Sequence, residues 1–344
     1  MGGHPTRRRV HSLHAADAVS GSGGRVVAAV DCGTNSTRLL VSREGVDTLE
    51  RRTIVTCLGQ GVDASGVLDR EAIGRTVAVL EDYRRIMDAL GVEAVRATAT
   101  SAARDARNAE EFFTAATAVL GIRPELLDGD TEGRLGFEGA TAELDPARGP
   151  FLVADIGGGS TEFAFGADRC EGVLSADVGC VRLTEQFIHH DPPRPEELHA
   201  CLSVTESHLE DVLIAIPEAR RTSCFIGVAG TVTSAAAVEL GLEPYDPDRI
   251  HHFDLTRAAA EDVFRTLATE DRAQRISNPG LHADRADVIV AGMCVLVKIM
   301  RFFGFDSCLV SETDLLDGLV SSLLADGQER SFGERAQREA HDAG

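Results

Sequence analysis

Residues 26–41 read VVAAVDCGTNSTRLLV and residues 151–165 read FLVADIGGGSTEFAF. Each is an apolar β-type run, an aspartate, a turn rich in glycine and hydroxyls, and a second apolar run. Asp31-x-Gly33-x-x-Ser36-Thr37 aligns with Asp155-x-Gly157-x-x-Ser160-Thr161 without a gap. Such an internal repeat constrains the fold strongly, because each copy must open an equivalent structural unit. Strand, turn, strand with an aspartate at the tip is a hairpin, unlike the strand–turn–helix of a dinucleotide-binding fingerprint. A duplicated protein of two domains is expected, and a chain of 344 residues is long enough for both cores.

The stretches between the copies alternate helix and strand, the pattern of an α/β layered domain. In residues 70–90, Ile73, Val77, Leu80, Ile86, Met87 and Leu90 recur near a 3.6-residue period and predict an amphipathic helix. VEAVRATAT (92–100) reads as a strand, Asn108 to Leu120 as a helix, 122–127 as a short strand, and Thr131 to Leu144 as a helix. The second half repeats this, with helices at 196–216, 231–240, 256–268, 286–303 and 313–325 and strands at 223–230 and 307–312. The Pro- and Asp-rich segment 242–255 reads as an edge loop. The segment DPARGP (145–150) places a boundary between a first domain, 25–148, and a second, 149–326. Residues 1–24 are expected to form a disordered extension and residues 327–344 a flexible tail.

Charge excludes several partner classes. The formal net charge is −21, from 55 acidic and 34 basic residues. Long-range steering therefore repels nucleic acid and membrane surfaces, and neither is an expected partner. No window approaches eighteen consecutive apolar residues, so no membrane span is expected. Lys298 is the only lysine, and GxxxxGK[ST] is absent, which rules out a P-loop enzyme. Any anionic substrate must be held by arginine, main-chain N–H groups or a metal ion. The eight cysteines never reach C-x-x-C spacing and sit mostly in apolar runs, as expected of reduced thiols in the cytoplasm. Two histidine pairs, 189–190 and 251–252, look like metal ligands, but adjacent side chains diverge. Neither pair is expected to chelate.

The repeated loops carry the candidate binding chemistry. Gly33, Thr34, Asn35 and Ser36 form loop one; Gly157, Gly158, Gly159, Ser160 and Thr161 form loop two. Glycines let the main chain approach a ligand closely, and successive N–H groups make a concave anion nest. A third loop, GVAGTVTS (227–234), puts Gly230 and Thr231 where a helix N-terminus faces a phosphate. Asp31, Asp155 and Glu162 beside these loops either close their own turns or offer oxygen ligands to Mg²⁺ or another divalent cation. Arg104 follows the hydroxyl-rich segment ATS and is placed either as a phosphate contact or as a solvated helix-start residue. The segment LDGDTEGRLGFEG (127–139) crowds Asp128, Asp130 and Glu132 among four glycines.

Together, the twin Asp-Gly loops, ATSAARDARN, LDGDTEGRL, GVAGTVTS and ADVGCVRLTEQF (176–187) resemble the exopolyphosphatase/guanosine pentaphosphate phosphatase (Ppx/GppA) family. That family lies within the actin-like ATPase superfamily, and the resemblance covers about residues 25–325. It implies two actin-like, ribonuclease H-like domains facing each other across a cleft. The chain looks like the short members, without the C-terminal HD-type helical domain of longer relatives. The implied activity is Mg²⁺-assisted removal of terminal orthophosphate from inorganic polyphosphate, or from guanosine pentaphosphate. The resemblance further implies that Glu132 is the base that activates water and Arg104 the phosphate-gripping arginine. Gly33–Ser36 and Gly157–Thr161 would be the phosphate loops, with Asp155 and Glu162 as metal ligands. Thr131 and Asp128 depart from the glutamate and serine usual there. A homodimer is the expected assembly, and a non-hydrolytic phosphate sensor or a kinase of the same superfamily is the alternative.

Overall fold

The computed structural model describes residues 24–44 and 47–325. The expected N-terminal extension and C-terminal tail lie outside the described residues, apart from Gly24. The first sheet contains β1 (Val26–Cys32), β2 (Ser36–Arg43), β3 (Asp47–Val55), β4 (Ala94–Ala99) and β5 (Glu125–Leu126). The second contains β6 (Phe151–Ile156), β7 (Thr161–Gly166), β8 (Cys170–Ala176), β9 (Cys224–Val228), β10 (Asp254–Thr256) and β11 (Ser307–Val310). The helices of the first half are α1 (Val62–Ser65), α2 (Arg70–Ala89), α3 (Ser101–Asp105), α4 (Ala109–Leu120) and α5 (Gly129–Thr141). Those of the second are α6 (Cys180–Phe187), α7 (Pro195–Ala215), α8 (Ala229–Glu239), α9 (Pro247–Ile250), α10 (Arg257–Thr269), α11 (Arg272–Ile276), α12 (Ile289–Phe303) and α13 (Leu315–Ala325).

The repeat seen in the sequence is a repeat of topology. The sheets run β3-β2-β1-β4-β5 and β8-β7-β6-β9-β11, with β10 added at the far edge of the second. In each, an antiparallel three-strand meander adjoins parallel strands. This duplicated, ribonuclease H-like α/β architecture is the expected one. β1 and β6 are buried along their whole length, which their near-continuous apolar runs dictate. On the first sheet, Leu80 and Tyr83 of α2 and Phe112 of α4 close one face. On the second, α12 is buried almost all round and shares a core with Phe163 and Leu209.

Two helices tie the lobes together. α13 is the last described element, yet its Leu315, Leu316 and Leu319 pack with Val27, Ala29 and Leu40 of the first sheet. α5 sends Leu135 into that same cluster, while its Phe137 and Ala140 pack with Phe151, Val153 and Ala164 of the second sheet. The helix that carries Glu132 is therefore wedged between both sheets.

Local differences from the sequence reading have simple causes. α5 begins at Gly129 rather than 131, because Asp128 caps it by accepting the Thr131 N–H at 2.7 Å. The segment 242–255 is not all loop: it holds α9, opened by Asp246 and Pro247, and edge strand β10. β3 and β8 were not expected, since DTLERRTIV and CEGVLSA carry too many polar residues for an apolar run.

Candidate active site

The two glycine loops meet face to face. A Cβ on Gly158 would touch Thr34 and the Asn35 nitrogen at 3.0 and 3.1 Å, and one on Gly159 would overlap Ser101. Both turns close identically, Gly33 N–H on Ser36 O at 3.0 Å and Gly157 N–H on Ser160 O at 3.1 Å. The Gly157 and Gly158 carbonyls accept N–H groups from the first turn of α6. Planar trans peptides then aim the N–H groups of Gly158 and Gly159 the opposite way. Asn35 is buried, and its Nδ2 has no hydrogen-bond partner. A buried donor left without an acceptor is costly, so this loop is shaped for an acceptor absent from the protein itself. One expected donor is already committed, since Thr161 donates to Val178 O; Thr34 Oγ1 accepts the Ala102 N–H at 3.2 Å and keeps its own proton to donate.

The repeat also explains the carboxylates. Asp31 pairs across β1–β2 with Arg38, and Asp155 pairs across β6–β7 with Glu162. Directly opposed residues of such strands have side chains on one face. In the first lobe the pair is a salt bridge: Arg38 reaches Asp31 Oδ2 through Nε at 3.1 Å and Nη2 at 2.8 Å, and its other nitrogen bonds Asp314. In the second lobe the equivalent pair is two buried acids. Burial pushes Asp155 up to about 8; Arg38 opposes the shift, and Glu162, Asp314 and Asp31 add to it. Burial likewise raises Glu162, against hydrogen bonds from Ser160 and Ser175. The first lobe has a guanidinium where the second has a carboxylate, and a divalent cation would restore the balance. Asp155 and Glu162 fit that ion. Asp31 fits less well, because Arg38 and Thr98 already occupy its oxygens.

A raised carboxylate pKa has a definite thermal consequence. Asp155 prefers its proton in the fold, so its contribution is complete below 3.8 and is lost as the pH climbs through about 8. In chelator-treated protein the melting temperature is therefore expected to fall over that window, and D155N should lack this component. Scanning calorimetry of both proteins at stepped pH measures it; parallel profiles would contradict the assignment.

Glu132 lies in the first turn of α5, buried, with Oε2 2.7 Å from Arg104 Nη1. The same Nη1 donates to Leu127 O at 2.8 Å, and Nη2 is 3.5 Å from Ser160 Oγ and 3.9 Å from Glu162. Arg104 is thus neither solvated nor free; it joins Glu132 to loop two. Burial and Glu162 raise the Glu132 pKa well above the carboxylate range, with Arg104 opposing. A carboxylate whose affinity for a proton is raised in this way accepts one better than an ordinary surface glutamate. α5 reaches this position because it is glycine-rich on two sides. A Cβ on Gly129 would overlap Ser175, and one on Gly133 would come within 2.6 Å of Val173.

The third loop opens α8, with Gly230 and Thr231 in its first turn. Thr231 is buried against Gly292 of α12. The Arg285 guanidinium lies directly over Gly230, where a side chain would displace it. Sequence reasoning missed Arg38, Arg285 and Asp314. Arg38 had a signal, since the gapless repeat aligns it with Glu162; the other two come from distant segments that only folding brings close. Arg182 is structural, bonding Gly159 O at 2.7 Å and Asp105 at 2.6 Å, and also Asp63, across the lobes.

A model of the Ppx/GppA phosphatase family matches residues 40–326. The chain belongs to this family. This Ppx/GppA member is 40% identical over 314 residues to exopolyphosphatase 2 of Mycobacterium tuberculosis, covering 86% of this chain and 98% of that protein. Among solved structures, an exopolyphosphatase-like protein superposes with a TM-score of 0.84 at 32% identity, over 87% of this chain and 98% of that one. The Aquifex aeolicus Ppx/GppA family member superposes with a TM-score of 0.72 at 32% identity, over 88% and 99% of the two chains. In this Ppx/GppA member, no helix among the described residues is long and apolar enough to cross a membrane.

Proposed function

We propose that this chain is an exopolyphosphatase, a hydrolase that releases terminal orthophosphate from inorganic polyphosphate. The observation that carries this reading is the meeting of the two glycine loops beside a buried Glu132 bonded to Arg104. The similarity to M. tuberculosis exopolyphosphatase 2 supports the substrate class. In this reading, loop N–H groups and Asn35 Nδ2 bind the terminal phosphoryl oxygens. These are local donors, which a distant net charge of −21 does not cancel. Mg²⁺ held by Asp155 and Glu162, with Asp31 beside them, would neutralise phosphate charge. Glu132 takes the proton of the attacking water, and Arg104 orients that carboxylate while facing loop two. Phosphoryl transfer needs little more than such positioning, charge neutralisation and a base. We place the enzyme in the cytoplasm as a homodimer; all eight cysteines are free, as a reducing compartment requires.

The test is orthophosphate release from short polyphosphate, long polyphosphate and guanosine pentaphosphate, with Mg²⁺ and with chelator. Release from polyphosphate that chelator abolishes is expected. Release from guanosine pentaphosphate alone would reassign the substrate, and no release from any would move the protein to the sensor class.

A further inference from the structure

We propose that Glu143, His251 and His252 form a second metal site that takes a divalent ion of the Zn²⁺ or Co²⁺ class. One ligand atom from each of the three lies within 4.8 Å of the others. The expectation that adjacent histidines diverge fails here for a backbone reason. His252 sits at φ 61, in the left-handed region, which turns its ring back over His251. The two rings stack with centroids 3.7 Å apart. A non-glycine residue held in this region is uncommon and stores strain, which marks a functional candidate. The backbone is pinned there by the His252 N–H on Val310 O at 2.7 Å.

The side chains point the same way. His252 Nε2 is buried and has no hydrogen-bond partner, so a lone pair or a proton is left unsatisfied. His251 Nε2 is 3.1 Å from Glu143 Oε2, and its Nδ1 accepts the Glu312 N–H at 3.1 Å. The His251 ring proton therefore lies on Nε2, shared with the carboxylate. An ion takes that proton's place between Nε2 and Oε2; the proton moves from Nε2 to Nδ1, which then no longer accepts the Glu312 N–H. Arg148 also faces His252 and opposes an ion there. Two imidazoles and a carboxylate select Zn²⁺-like ions, whereas Mg²⁺ prefers all-oxygen ligands. Glu143 follows the last turn of α5, and the histidines precede β10, so the ion would fasten the Glu132 helix to the second lobe.

The experiment is titration of the chelator-treated full chain with Co²⁺ and Zn²⁺, following Co²⁺ visible absorption and stoichiometry by equilibrium dialysis. H252G removes a ligand yet suits the left-handed backbone, so its melting temperature should hold. Expected is a Co²⁺ spectrum of low coordination number in wild type, lost in H252G, with affinity down at least about tenfold there and in E143Q. D155N, altered at the phosphatase site, should keep the signal. Failure of wild type to bind, equal binding by H252G, or loss of the signal in D155N would each overturn the proposal.

Discussion

Glu132→Gln is expected to lower orthophosphate release by about 10²–10⁴-fold, the usual contribution of a positioned general base. The substitution keeps the side chain's size and its contact with Arg104 Nη1, which donates to Oε2 at 2.7 Å in the parent protein. What it removes is the ability to take a proton. Because burial and Glu162 disfavour the charged form of Glu132, the glutamine variant should melt no lower than the parent at neutral pH. Intact stability with lost turnover separates a base from a structural strut, and calorimetry beside a phosphate-release assay reads both. A variant that retained a tenth or more of the parent rate would end the assignment. The pH profile gives a second readout: with a raised pKa, activity should climb with pH above the ordinary carboxylate range, and the glutamine variant should lose that limb.

How much of this was legible beforehand depends on how local the signal was. The hairpin repeat was, because Asp31 through Thr37 and Asp155 through Thr161 carry their turn chemistry within seven residues. It gave the duplicated topology and both glycine loops. Glu132 and Arg104 were placed through resemblance, but their mutual bond was not foreseen, since it joins residues 28 apart. Asp128, one of three crowded acids in the sequence, is the cap of α5, a role that the helix start at Gly129 creates. Asp314 was invisible for a different reason: it reaches Arg38 only because α13 returns to the first sheet. The rings of His251 and His252 stack rather than diverge, because the divergence rule assumes regular backbone and His252 does not have it. Residue identity predicts regular geometry well; it predicts poorly where tertiary contacts impose an exception.

The glycines of α5 give the second large expected effect, and they show why the helix is built as LDGDTEGRLGFEG. A Cβ on Gly139 would overlap the Asp314 carbonyl and come within 2.9 Å of the Gly318 nitrogen, and one on Gly318 would overlap the Leu135 carbonyl. In both cases the obstacle is backbone, which cannot swing aside as a side chain can. Gly139→Ala and Gly318→Ala are therefore each expected to destabilise by about 3 kcal/mol, the upper end of ordinary overpacking. Gly136 is the internal control, since nothing lies within 4 Å of its would-be Cβ. There alanine should stabilise by about 0.5–1 kcal/mol through helix propensity alone. Denaturant titration of the three variants measures the contrast, and equal effects at 136 and 139 would refute close helix contact as its cause. The loss should also reach catalysis: Gly139 sits two turns along the helix from Glu132, and α13 also holds Asp314 against Arg38. Pushing α5 off α13 shifts the base relative to loop two, so Gly139→Ala should lose turnover even at temperatures where it stays folded.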